Sequence, residues 1–192
     1  MKKIITLLFT TLLAFTFIFT SAISADAKTL ASSAKAYELN PKIYKKIYIK
    51  NSSNFGICDR KISSLTYKKS RAPYNWECAS NKVRYGFTHY SKNTLAFTLD
   101  GSDYAPIEVK FPIKSGNGKV YNPYYQLGGP KYYKTNAQLL KKYKTKAGTF
   151  KNVIKYKERG YTHYLSKNRG ALKITDPKGR TFFEITKFVK NK

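Results

Sequence analysis

A chain of 192 residues with 37 Lys and Arg against 10 Asp and Glu carries a formal charge of +27, which sets the sign of whatever it meets. Hydrophobic residues at 42% and aromatic residues at 16% exclude a disordered basic tail, so the charge must lie on the outside of a folded domain. Only six of the basic residues are arginine, the planar fork that reads phosphates and bases, so the composition favours diffuse, sequence-blind attraction to polyanions over specific readout.

Met1 to Ala27 reads as a secretory signal. Lys2 and Lys3 form a positive start, Ile4 to Phe19 an apolar core, and Ala25-Asp26-Ala27 a small-x-small cleavage pattern before Lys28. The apolar run is short for a membrane span, and no cysteine stands at the cut to take a lipid. Cleavage removes Lys2, Lys3 and Asp26, leaving 35 basic and 9 acidic residues, hence +26, on 165 residues that suit one domain. The expected location is secreted and cell-wall associated. The anionic partners available there are wall phosphate polymers, lipid headgroups, acidic polysaccharide and nucleic acid.

Residues 28–42 read as a short helix ending before Pro41 or a flexible arm. From Ile43 the period changes to two, with Ile43, Lys45, Ile47 and Ile49 on one face and Tyr44, Lys46, Tyr48 and Lys50 on the other. Further strands are expected over Val83–Tyr90, which puts His89 on the face of Phe87, over Thr94–Leu99 before the Asp100-Gly101 turn, and over Ile107–Phe111. Residues 115–133 are rich in Gly, Pro and Tyr and read as a long loop. Thr135 or Asn136 is placed to cap a short helix through Tyr143. Strands follow near 150–157, 161–165 and 171–175. After the Asp176-Pro177-Lys178-Gly179 turn, a closing strand runs over Thr181–Val189. The pattern predicts a mainly β domain over residues 43–192: a curved antiparallel sheet, sandwich or half-barrel with one or two short helices.

The segment Gly86-Phe87-Thr88-His89-Tyr90, with Ser91-Lys92-Asn93 after it, is echoed by Gly160-Tyr161-Thr162-His163-Tyr164 and Ser166-Lys167-Asn168. The echo suggests two similar halves, 43–114 and 143–192, joined by the Gly/Pro/Tyr-rich loop. It also holds both histidines of the chain. His89 and His163 are therefore the candidate acid–base pair for a hydrolase or nuclease acting on a polyanion, set against packed histidines on an apolar face. Cys58 and Cys78, an even count in an exported chain, are expected to form one disulfide, with two free thiols as the alternative. Asp100 and Asp103 bracket a turn without the ligand count of a calcium loop, and no zinc, nucleotide or nucleophile-elbow motif is present, so no metal or cofactor is called for. The candidate polyanion contacts are Lys45, Lys46, Lys50, Lys131, Lys134, Lys141, Lys142 and Lys144, with Tyr124 and Tyr125 as aromatic faces among them.

Thr145-Lys146-Ala147-Gly148-Thr149-Phe150-Lys151-Asn152-Val153, then Gly160-Tyr161-Thr162-His163-Tyr164 and Gly170-Ala171-Leu172-Lys173-Ile174, form a recognisable series. Residues 143–174 resemble a pattern in exported and lipid-anchored β-domain proteins of Bacillus-like bacteria. Here His163 replaces the usual aromatic, and the lipid-anchor cysteine is missing. The resemblance implies a curved antiparallel β domain and carries over no catalytic residue. The functional expectation is a secreted, strongly basic, non-enzymatic β domain held electrostatically on an anionic wall or surface polymer.

Overall fold

The structure, a computed structural model, describes residues 27–52, 58, 62–69, 75–91, 93–99, 107–123 and 125–192, the side chains of 88–91, 98, 99 and 107 excepted. The signal segment up to residue 26, Tyr124 and the Asp100–Asp103 turn lie outside the described residues. The chain is mainly β, with 64% of residues in strands and no helix of seven or more residues. No helix among the described residues is long and apolar enough to cross a membrane.

In chain order the strands are β1 (Thr29–Ala31), β2 (Tyr44–Asn51), β3 (Ile62–Tyr67), β4 (Trp76–Cys78), β5 (Arg84–Ser91), β6 (Thr94–Leu99) and β7 (Ile107–Lys110). They continue with β8 (Ile113–Lys114), β9 (Gly116–Tyr121), β10 (Tyr132–Thr145), β11 (Gly148–Glu158), β12 (Tyr161–Ser166), β13 (Gly170–Thr175) and β14 (Thr181–Lys190). Twelve of them form one antiparallel sheet, ordered β7-β6-β5-β4-β3-β2-β14-β13-β12-β11-β10-β9 and nearly closed into a barrel. Two hairpin meanders, β2–β7 and β9–β14, thus join through β2 and β14. The Thr-His-Tyr parts of the two echoed segments are on the fourth strand of each meander, β5 and β12, with Gly160 in the turn before β12.

Alternation along each strand sends one set of side chains inward, where Ile47, Ile49, Leu65, Leu165, Ile174, Phe183 and Ile185 are buried. Each such side chain contributes about 2 kcal/mol by leaving water. Among the described residues, an apolar cavity between Leu39, Phe97, Leu165, Ile174 and Phe183 holds about 30 Å³, room for little more than a water molecule.

Residues 28–40 join the two edges of the sheet. β1 pairs with β8, and Lys28 accepts a hydrogen bond from the Ser115 amide at 2.8 Å. Ala31, Ala34 and Tyr37 are buried against Val109, Phe111 and Ile113 from one edge and Ala137, Ile154 and Leu165 from the other. The Asn168 amide donates to the Ala36 carbonyl at 2.8 Å, and the Asn40 amide to the Asn168 carbonyl at 3.1 Å. In place of the expected short helix or flexible arm, the segment is an ordered arm: β1 followed by one 3-10 turn, Ala34–Tyr37.

Other expectations are also corrected. The helix expected from Thr135 to Tyr143 is the middle of β10, a strand of 14 residues. The long loop expected at 115–133 contains β9, a 3-10 turn at Tyr125–Leu127 and the start of β10. On β2 the predicted faces hold from Ile47 onward. At its start Tyr44 is buried and Lys45 exposed, because the strand pairing shifts between Val189 and Lys190. The disulfide is present: Cys58 and Cys78, 20 residues apart, are joined, and both are buried in the core.

The Thr-Lys-Ala-Gly-Thr-Phe-Lys-Asn-Val series closes the β10–β11 hairpin. Thr145 pairs with Gly148, the Thr145 hydroxyl accepts from the Ala147 amide at 3.1 Å, and Gly148 takes a φ of 129° that a side chain would strain. The hairpin end folds against β12–β14. Tyr143 stacks on Tyr164 at 4.2 Å, Phe150 meets Phe188 edge-on at 6.0 Å, and the Lys146 amide donates to Glu184 at 3.4 Å. These contacts give Thr145, Gly148 and Phe150 of the series a structural role.

Candidate anion-binding cleft

Cross-strand register on β9, β10 and β11 builds a concavity bordered mainly by polar and charged residues. Asn136 lies opposite Asn117 on one side and Lys157 on the other, while Lys134 lies opposite Lys119. Glu158 pairs with Tyr161, so Arg159 and Gly160 form the whole β11–β12 turn, with φ of 51° and 84°. Two successive positive φ values match the twist of the flanking strands and turn the arginine back over β10. The result is a cleft of about 380 Å³ bordered by Asn117, Lys134, Thr135, Asn136, Lys157 and Arg159, with Tyr133 and Gly160 completing its wall.

The guanidinium is held from beneath and from inside the barrel. It lies 4.6 Å over the Tyr133 ring, and its Nε donates to Glu158 Oε1 at 3.1 Å. Glu158 is buried and accepts the Tyr156 hydroxyl on its other oxygen at 2.8 Å. Burial, and after it the Glu158 carboxylate, raises the Tyr156 pKa above the usual phenol range, so the hydroxyl stays a donor. The Tyr156–Glu158–Arg159 chain therefore fixes the arginine before any ligand arrives and leaves its terminal nitrogens to the cleft. Among the described residues, neither Lys134 nor Lys157 has a carboxylate within salt-bridge distance. Asn136 Nδ2 donates to Asn117 Oδ1 at 2.8 Å, which orients both amides.

Beyond the cleft, on the same pair of strands, stand exposed tyrosines. Tyr121 contacts Tyr125 at 5.7 Å and Tyr132 at 5.9 Å, and Lys131 lies 5.9 Å from the Tyr125 ring and 6.0 Å from the Tyr132 ring. Nearly half of each of Tyr121 and Tyr132 remains in solvent.

The structure brings only some of the sequence candidates together. Lys134 borders the cleft, and Lys131 and Tyr125 belong to the tyrosine group. Lys45, Lys46 and Lys50 are on β2, five strands away in sheet order. There Lys46 and Lys187 flank the Tyr48 ring at 4.8 and 5.7 Å, and Lys50 lies opposite Glu184. Lys141, Lys142 and Lys144 are exposed on the far part of β10, with Lys142 opposite Lys151. Lys157 and Arg159 were not singled out by sequence. The Arg-Gly dipeptide between two alternating strands was the available signal for a two-residue turn presenting an arginine.

His163 is on β12 opposite Tyr156 and Ile174, buried at 7% exposure, and its Nδ1 has no hydrogen-bond partner. Burial first, and the Arg159 charge second, lower its pKa to about 4, so the imidazole is neutral. In this position it does not meet a polymer in solvent. His89 is on β5 opposite Leu95, and its side chain lies outside the described residues. Among the described residues, no three His, Cys, Asp or Glu side chains gather closely enough to hold a metal ion. No protein-family profile, no curated protein and no solved structure matches the chain.

Proposed function

We propose that this is a secreted, non-enzymatic β domain that associates electrostatically with an anionic cell-wall or surface polymer. The observation that carries the reading is that Lys134, Lys157 and Arg159 border one cleft whose lining holds no acidic residue among the described residues, the buried Glu158 lying behind Arg159 as its ion-pair partner. The lysines of β2, β10 and β14 extend the same sign of charge around the barrel, which suits a polymer that wraps or slides more than a single bound ion. Lysine-borne attraction works by releasing condensed counter-ions from the polymer. The buried position of His163 leaves the alternative, a hydrolase or nuclease using His89 and His163, with less support.

The test is calorimetric titration of the mature chain with polyglycerol phosphate between about 50 and 200 mM salt. Engagement of six to ten phosphates lowers the affinity by about three orders of magnitude or more over that range. Binding that ignores salt, or no binding at the low end, refutes the proposal. Unchanged activity toward a polyanion in the His89→Ala, His163→Ala double variant would remove those residues from any enzymatic reading.

A further inference from the structure

We infer that the β9–β11 cleft is a subsite for one acidic sugar residue, so that the polymer is an anionic polysaccharide; this rests on the polyanion reading above. A phosphate chain without rings needs cations and donors only. This cleft offers more than that.

Asn117 and Asn136 hydrogen-bond to each other at 2.8 Å. Whichever amide donates, the pair is left with one free carbonyl oxygen and one free NH2. They set neutral acceptors and donors beside Lys134, Lys157 and Arg159, which border the same cleft. A free carbonyl oxygen is matched by a hydroxyl, which donates to it, and opposed by an ionised phosphate oxygen, since carbonyl and phosphate oxygens are both acceptors. A ligand that satisfies the whole lining therefore carries hydroxyl groups and a negative charge on one compact unit. The size agrees: about 380 Å³ lies at the lower end of the range for small-molecule sites and far exceeds what a lone oxyanion fills. Arg159, held by Glu158 and lying over Tyr133, presents its two terminal nitrogens as a fork for a planar carboxylate. The exposed Tyr132 and Tyr121 rings continue the surface along β9 and β10, where further sugar rings can lie against aromatic faces. Nucleic acid also combines charge and rings. However, its charge is on phosphates separated from its hydrogen-bonding edges, whereas here cations and amides share one small cleft.

The experiment compares tetragalacturonate, triphosphate and an oligothymidylate of similar charge at about 150 mM salt, on the parent chain and on Asn136→Ala, Arg159→Ala and Lys46→Ala. The inference expects tetragalacturonate to bind tightest. It also expects Asn136→Ala and Arg159→Ala each to weaken tetragalacturonate about tenfold, the worth of one good hydrogen bond. Asn136→Ala should alter triphosphate binding less than twofold, and Lys46→Ala should leave tetragalacturonate nearly unchanged. If tetragalacturonate and triphosphate bind alike and Asn136→Ala changes neither, the acidic-sugar assignment fails while the polyanion reading stands. If the oligothymidylate binds tightest and is the ligand weakened by Asn136→Ala, the site belongs to nucleic acid and the assignment fails. If no probe binds even at about 20 mM salt, the polyanion reading itself is refuted.

Discussion

His163 makes the stability of the barrel depend on pH in a way that one substitution should isolate. Its imidazole is buried between Tyr156 and Ile174, its Nδ1 is unpartnered, and burial with the nearby Arg159 charge lowers its pKa from 6.5 to about 4. In the unfolded chain the imidazole takes up a proton near pH 6.5; in the folded chain it does so only near pH 4. Between those values the unfolded state binds more protons, so stability falls as the pH falls. The contribution is intact above about pH 6.5 and lost by about pH 4, with no further change below. At about 1.4 kcal/mol for each pH unit in that window, the loss is about 3 kcal/mol. The comparator is His163→Phe, which keeps an aromatic ring against Tyr156, now 6.1 Å from the imidazole, and has nothing to titrate. Urea unfolding followed by circular dichroism from pH 7 to pH 4 measures both chains. His89 and the carboxylates are common to both and cancel in the difference. The stability of His163→Phe relative to the parent should rise by about 3 kcal/mol across the window. Parallel curves, with a difference constant to within about 1 kcal/mol, would refute the buried neutral histidine.

Tyr37→Ala should cost about 3–5 kcal/mol, because the ring joins the two edges of the sheet and contacts Phe111 at 5.6 Å; a thermal melt should show a drop of roughly 10 °C. Reducing Cys58–Cys78 should lower stability by about 3 kcal/mol, read as a shift in the urea midpoint with and without reductant. Gly160→Ala should be destabilising by about 1–3 kcal/mol, since φ is 84° and an added Cβ would sit 2.9 Å from Pro177 Cγ. Because Gly160 shares its turn with Arg159, that variant should also weaken tetragalacturonate binding by calorimetry.

Much of the architecture could be read from local pattern, and the failures have identifiable causes. β6 and β14 were legible because Leu95 and Phe97, or Phe183 and Ile185, stand at every second position beside clear turn signals. β9 was not, because Gly116-Asn117-Gly118 has no apolar face; an edge strand exposed along most of its length needs none. β10 was misread because Ala137, Leu139 and Leu140 after Thr135-Asn136 fit a capped helix, and it is the long register with β11 that overrides the local preference. β3 was missed because Leu65 is its main buried apolar residue among serines and threonine, and β4 because it is three residues long. The cleft was partly legible. Lys134 stood out as a cation, but Asn117, Asn136, Lys157 and Arg159 meet only through strand register and a two-residue turn. Charge counting has no access to that information.

The same lysines should make salt act in opposite directions on folding and on binding. Lys119 lies directly opposite Lys134, and Lys142 opposite Lys151, all four exposed. Like charges directly across a strand pair cost about 0.2–1 kcal/mol each, and the excess charge of the whole chain adds to this self-repulsion. Raising salt from about 10 to about 300 mM shortens the screening length from roughly 30 Å to well under 10 Å, so the free domain should melt at a higher temperature. Polymer binding should weaken over the same range. Lys151→Glu, which turns one repelling pair into an attractive one, should stabilise the domain at low salt and reduce the salt dependence of its melting. If salt leaves the melting temperature unchanged or lowers it, the exposed lysines are not in mutual repulsion, and the electrostatic argument loses its basis. If the two salt trends are opposed as expected, the strain in the free domain becomes part of the affinity. A polyanion then relieves the same repulsion that added salt relieves, and its binding to the folded chain alone stabilises the barrel most where salt is lowest.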